Sequence, residues 1–151
     1  MKRFNFQIRC TVLLLLTAMF AVCNTAFADD VKYYKDGPVV EVTYVKVKLG
    51  HFDDYMKFLD LKYKKEMEAF KKAGLILGYN VFAANPRSPS EPNLLLVVTY
   101  PNMAALDKTE QFESIGKQVS GSVDQQNKEA VDRNEWRDIL GGELVREMIL
   151  K

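Results

Sequence analysis

Residues 39–74 read VVEVTYVKVKLGHFDDYMKFLDLKYKKEMEAFKKAG, and the stretch divides at Gly50 into two periodicities. Up to Leu49 it is rich in β-branched residues and alternates, with Glu41, Thr43, Val45, Val47 and Leu49 on one face. Val40, Val42, Tyr44, Lys46 and Lys48 form the other face. A strand with valines on both faces calls for a layer on each side. After Gly50 the apolar spacing becomes helical: Phe52, Met56, Leu59, Tyr63, Met67 and Phe70 make one stripe. Asp53 and Asp54 sit in the first turn, Lys71 and Lys72 in the last, and Gly74 follows where a left-handed terminal residue is wanted. Asp53 to Lys57, Asp60 to Lys64 and Glu68 to Lys72 are acid-before-base pairs four apart.

Upstream, residues 1–28 have the form of a secretory signal peptide. Lys2, Arg3 and Arg9 precede an apolar run over residues 12–22, and Ala26-Phe27-Ala28 supplies small residues at the cleavage positions. The run falls short of the roughly 20 residues that span a bilayer. Cleavage leaves residues 29–151 as one domain, exported to the periplasm or beyond and not held in a membrane. Both cysteines, Cys10 and Cys23, lie in the leader, so the mature chain has no disulfide, thiol nucleophile or thiolate metal site. Loss of Lys2, Arg3 and Arg9 moves the formal net charge from +1 to −2, a balance that does not suggest nucleic acid or a lipid surface.

Asp36-Gly37-Pro38 is a turn signal ahead of the first strand. Beyond the long helix, residues 75–84 (LILGYNVFAA) read as a second strand, a proline-rich loop follows, and residues 93–100 (NLLLVVTY) form a central strand apolar on both faces. Pro101-Asn102 opens a helix with Met103, Leu106, Phe112, Ile115 and Val119 as its stripe. Residues 120–122 (SGS) break it, and a polar helix over 123–140 follows, with Val131, Trp136, Ile139 and Leu140 as its contacts. Gly141-Gly142 ends that helix, and residues 143–150 (ELVREMIL) close the chain as a last strand.

The order is that of an α+β, ferredoxin-like βαββαβ sandwich, with an extra helix before the last strand and helices on one sheet face only. The other face then exposes Val40, Val42, Tyr44, Leu95 and Val97, an apolar patch that predicts two sheets packed face to face in a homodimer.

These elements resemble the dimeric α/β barrel superfamily, which includes antibiotic-biosynthesis-type monooxygenases, stress-responsive barrel proteins, and chlorite-dismutase-like and dye-decolourising haem proteins. Residues 64–89 (KKEMEAFKKAGLILGYNVFAANPRSP), 93–107 (NLLLVVTYPNMAALD) and 137–150 (RDILGGELVREMIL) look more closely like small exported bacterial proteins of unknown function. The resemblance implies the fold and the dimer; it does not select among the superfamily's activities. Its haem-binding members place an axial histidine late in the domain, where this sequence has none, so no cofactor is implied.

His51, the single histidine, falls between first strand and first helix, a rim position in a barrel, and reads most simply as a loop residue that helps start the helix. With one histidine and no cysteine in the mature chain, no metal set emerges, and Asp53-Asp54 suits the helix dipole. Tyr44, Tyr79, Asn80, Tyr100, Trp136 and Arg146 are the candidates for lining a cleft between sheet and helices. Asn80 stands out, because an amide inside an apolar strand needs a hydrogen-bond partner. Arg146 reads first as a charge on an edge strand and second as a receptor for an acidic group.

The leading expectation is an exported homodimer that binds a small, partly apolar molecule beneath the inserted helix. One alternative is a cofactor-independent monooxygenase-like enzyme acting on an aromatic substrate through His51, Asn80 and Trp136. The other is a stress-responsive scaffold dimer without a ligand.

Overall fold

The computed structural model describes residues 32–151, so the leader expected over residues 1–28 lies outside the described residues. The first strand, β1, runs Tyr34–Val47. A long helix, α1, follows as α-helical Phe52–Phe58, one π-helical turn Leu59–Tyr63 and α-helical Lys64–Lys72. Then come β2 (Gly78–Ala83), β3 (Leu94–Tyr100), a 3₁₀ turn (Met103–Ala105), α2 (Thr109–Ser120), α3 (Val123–Asp132), a second 3₁₀ turn (Arg133–Glu135) and β4 (Arg137–Leu150). The strands form one antiparallel sheet in the order β2-β3-β1-β4. This is the ferredoxin-like βαββαβ arrangement, with α3 as the additional helix.

Alternation along β1 sorts the sheet into two faces. Val39, Val45 and Val47 are buried against the helices. Val40, Val42 and Tyr44 project the other way, in register with Thr99, Val97 and Leu95 of β3. The core has two clusters. Val39, Met67, Phe70, Leu75, Ile76, Tyr100 and Ala105 form one; Val45, Val47, Tyr55, Leu59 and Leu94 form the other, and Tyr63 packs against both. Each fully buried aliphatic or aromatic side chain contributes about 1.5–3 kcal/mol. Glu41 and Thr43 lie between Val39 and Val45 on the helix-facing side of β1.

The helix α1 ends as anticipated. Gly74 has φ +70, its N–H bonds to the Lys71 carbonyl and that of Leu75 to the Phe70 carbonyl, the paired bonds of a left-handed cap. Its buried stripe differs at the start: Tyr55 is buried, while Phe52 and Met56 are 45% and 38% exposed. Tyr55, Leu59, Tyr63 and Met67 are spaced by fours, which overshoots an α-helical turn by about 40° at each step. The π turn at Leu59–Tyr63, with its wider pitch, absorbs that drift and keeps the four on one side.

Four other segments also depart from expectation. Asp36-Gly37-Pro38 is not a turn but part of β1: Gly37 and Pro38 fall where the pairing skips from Asp36↔Met148 to Val39↔Arg146, a bulge. A Cβ on Gly37 would stand 3.0 Å from the Glu147 Cβ, so any side chain there would push β4 back slightly. Leu75 and Ile76 precede β2, buried under α1.

The polar helix stops at Asp132, and Val131, Ile139 and Leu140 are exposed rather than core contacts. Residues 137–140 already belong to β4. Gly141-Gly142 ends no helix; Gly141, at φ +136, sits at a β1–β4 register shift, and a Cβ on Gly142 would come within 2.7 Å of the Val42 carbonyl oxygen.

Candidate functional site

A carboxylate on the buried face of a central strand needs a donor, and Glu41 has one. The Tyr100 hydroxyl donates to Glu41 Oε2 at 2.7 Å. Burial first, then the hydrogen bond and charge of Glu41, push the Tyr100 phenol well above its ordinary range, so it stays protonated and a donor. Tyr63, at the end of the π turn, brings a second phenol to the same interior. Its buried hydroxyl has no partner, and burial followed by Tyr55 and Glu41 raises its pKa as well. The Tyr63 ring meets Tyr79 edge-on at 6.0 Å, and Phe112 packs edge-on against Phe70 at 4.9 Å, which closes this interior from above. Two neutral phenols beside one carboxylate can hold and orient a polar group.

The second feature is an open cleft of about 460 Å³ between the first half of α1 and the end of α3, lined by Asp54, Lys57, Phe58, Leu61, Lys62, Glu129, Asp132, Arg133 and Trp136. Its size suits a small molecule. Phe58, Leu61 and Trp136 supply apolar wall. Trp136 is fixed from two sides, since its carbonyl accepts from the Lys48 N–H at 2.8 Å and its side chain packs on the cluster around Val45. The helix α3 buries no residue of its own. It is tied down by Lys62 Nζ donating to Glu129 Oε1 at 2.5 Å and by the Arg133 guanidinium 4.5 Å above the Phe58 ring. Lys62 holds the Glu129 carboxyl below its usual range.

The residues named from sequence do not converge. Trp136 alone lines the cleft. Tyr100 and Tyr79 lie on the helix-facing side by the other cluster, with the Tyr79 hydroxyl donating to Glu68 at 2.9 Å. Asn80 is exposed and in register with Val97, so it belongs to the open sheet face and not to the cleft. Alternation along β2 puts Tyr79 inside and its neighbour outside, where the amide is exposed. Tyr44 shares the open face, where burial and then Glu143 raise its pKa. Arg146 pairs with Asp36 at 3.3 Å across β1 and β4, which answers its charge. His51 precedes α1 with Nδ1 3.3 Å from Asp54 and does not line the cleft.

Glu41, Tyr63, Phe58 and Arg133 were not among the sequence candidates. Glu41 left a signal, as the one acidic residue on the inward face of the first strand; the others gain meaning only from what they meet. Among the described residues there is no group of three or more His, Cys, Asp and Glu that could hold a metal ion, and no helix long and apolar enough to cross a membrane.

The fold and site define a ferredoxin-like α+β domain with an aromatic, charge-rimmed cleft beside its inserted helix. No family model matches the chain, and no curated protein matches it. Among solved structures, it is similar to a protein from Shewanella oneidensis at 16% identity and a TM-score of 0.49, covering 77% of this chain and 98% of that one. It is also similar to a dimeric ferredoxin-like protein from an uncultured marine organism (9% identity, TM-score 0.48, covering 78% and 90%). A third is a dimeric protein of unknown function and ferredoxin-like fold from Bacteroides fragilis (14% identity, TM-score 0.42, covering 76% and 98%). None of these three reaches a TM-score of 0.5, so the architecture rests on the chain's own strand order and register.

Proposed function

We propose that the protein is an exported homodimer that binds a small, partly apolar molecule in the cleft between α1 and α3. The cleft itself carries the reading: about 460 Å³ of space with Phe58, Leu61 and Trp136 as walls and charged groups at its rim is a place for a ligand with an apolar body and a polar end. The dimer is supported by the open sheet face, where Val40, Val42, Leu95 and Val97 of the two central strands stand together with Phe82 and Val145 at its sides. Export is supported by the basic, apolar and small-residue order of residues 1–28. The monooxygenase alternative keeps only Trp136 in the cleft, because Asn80 projects from the opposite face of the sheet and His51 does not line the cleft.

The test is a native mass spectrum of the protein expressed with its own leader and recovered from the periplasm. Twice the mass of residues 29–151 with a reproducible addition is the expected result. A bare monomer of full-length mass would overturn export and dimer alike. A dimer without added mass, whose Trp136 fluorescence answers no apolar ligand in a screen, would overturn the binding role.

A further inference from the structure

We infer that the Arg133 side of this cleft is an anion seat in which Arg133 takes the carboxylate of an aromatic acid whose ring lies against Trp136 and the edge of Phe58, while Arg137, just outside the lining, adds its positive charge. The inference rests on the cleft being a ligand site and adds the ligand's class. Arg133 closes the polar helix region and Arg137 opens β4, four residues apart. Each guanidinium stands over a ring: Arg133 Cζ lies 4.5 Å from the Phe58 centroid and Arg137 Cζ 5.7 Å from that of Tyr55. Those two rings are themselves stacked at 5.8 Å with 23° between their planes, so the two cations are carried by one aromatic pair.

Neither arginine enters an ion pair among the described residues, and the Nε of each is buried without a hydrogen-bond partner. Glu129 and Glu66 favour the Arg133 charge through space without pairing with it, and the acids nearby bond to other groups. Glu129 is bonded to Lys62, Asp132 to Lys128 and Asp54 to His51. Glu66 lies in the adjoining hollow that Arg133 also lines, where burial opposes its charge and Ser120 and Arg133 favour it. Burial first, and then the like charge of Arg137, hold the Arg133 pKa below the usual guanidinium range. An anion at Arg133 relieves that repulsion and accepts from its unpartnered Nε–H, while Arg137, bonded to the Tyr55 hydroxyl, contributes charge. Guanidinium groups match a planar carboxylate through paired hydrogen bonds. The walls then ask for an aromatic body rather than a bare ion, since Phe58, Leu61 and Trp136 have no polar group to offer phosphate beyond the indole N–H.

The mature protein is titrated, with Trp136 emission as readout, with 2-naphthoate, its uncharged amide 2-naphthamide, and inorganic phosphate. The acid is expected to bind at least ~10-fold tighter than the amide, as charge-assisted bonds require. Arg133→Gln should erase most of that preference and Arg137→Gln should reduce it, both read as the ratio of acid to amide affinity in the folded variant. Acid and amide binding equally, with both variants silent, overturns the anion seat and leaves the cleft as a ligand site. Binding of neither overturns the cleft reading itself. Phosphate competing on equal terms with naphthoate overturns the aromatic-acid assignment.

Discussion

Tyr100 and Tyr63 both carry a phenol into the core near Glu41, and only Tyr100 gives its proton to a partner. That difference separates two otherwise similar substitutions. Tyr100→Phe leaves a partly buried carboxylate without its donor and should cost about 1–3 kcal/mol in urea unfolding. Tyr63→Phe deletes an unpartnered hydroxyl and should be neutral or mildly stabilising, because nothing is left unsatisfied. Equal losses in the two variants would show that Tyr63 has an acceptor after all. Glu41 was legible in the sequence as a carboxylate on an inward face. Its partner was not, because Tyr100 lies 59 residues away and only the β1–β3 register brings them together. Gly142 makes the same point through space rather than charge. Gly142→Ala would set a methyl 2.7 Å from a backbone oxygen and should destabilise by about 1–3 kcal/mol, read as a lower midpoint of thermal unfolding.

At the scale of elements, α3 has no fully buried residue, and the Lys62–Glu129 bridge ties it to α1. Lys62→Met should raise amide hydrogen exchange over residues 123–132 while leaving β1 and β3 protected. The tie is also pH-dependent. Lys62 depresses the folded pKa of Glu129, so the stabilisation is fully present above the unfolded carboxylate value of about 4.3 and is lost as pH falls through the lower folded value. Glu66 shifts the other way because burial disfavours its charge. The difference in exchange between the native chain and Lys62→Met isolates the bridge, and it should vanish in that acid window. A difference that persists there would assign the tie to Arg133 and Phe58 instead. The helical stripe was readable from apolar spacing, but the π turn was not, since local spacing does not say which tyrosine the core will accept.

For the molecule as a whole, the two faces of the sheet have unequal fates. One is filled by α1 and α2; the other presents Val42 beside Val97. In the proposed dimer a charge at either position is left buried without a partner, so Val42→Glu and Val97→Glu should each give a monomer in analytical ultracentrifugation. Trp136→Ala, in the cleft, should leave the mass unchanged. A dimer that survives both glutamates would place its interface elsewhere. The cleft gave little sign of itself in the sequence because its walls come from α1, α3 and the turn into β4, and Phe58, Lys62, Glu129 and Arg133 are ordinary residues of amphipathic helices until those elements meet.

Short-range periodicity determined most of the architecture. Alternation in residues 39–49, the stripe after Gly50, the Gly74 cap and the doubly apolar third strand lead to the element order and to which face of β1 is buried, since each is a property of near neighbours along the chain. The tertiary structure decided what depends on register. It turned Asp36-Gly37-Pro38 and Gly141-Gly142 from apparent breaks into the irregular points where β1 and β4 stay paired over 14 residues each. It also moved Asn80 to the open face and set two arginines over two stacked rings. Glycine and proline signal only that the backbone is unusual; whether that means a turn or a bulge depends on the strand alongside.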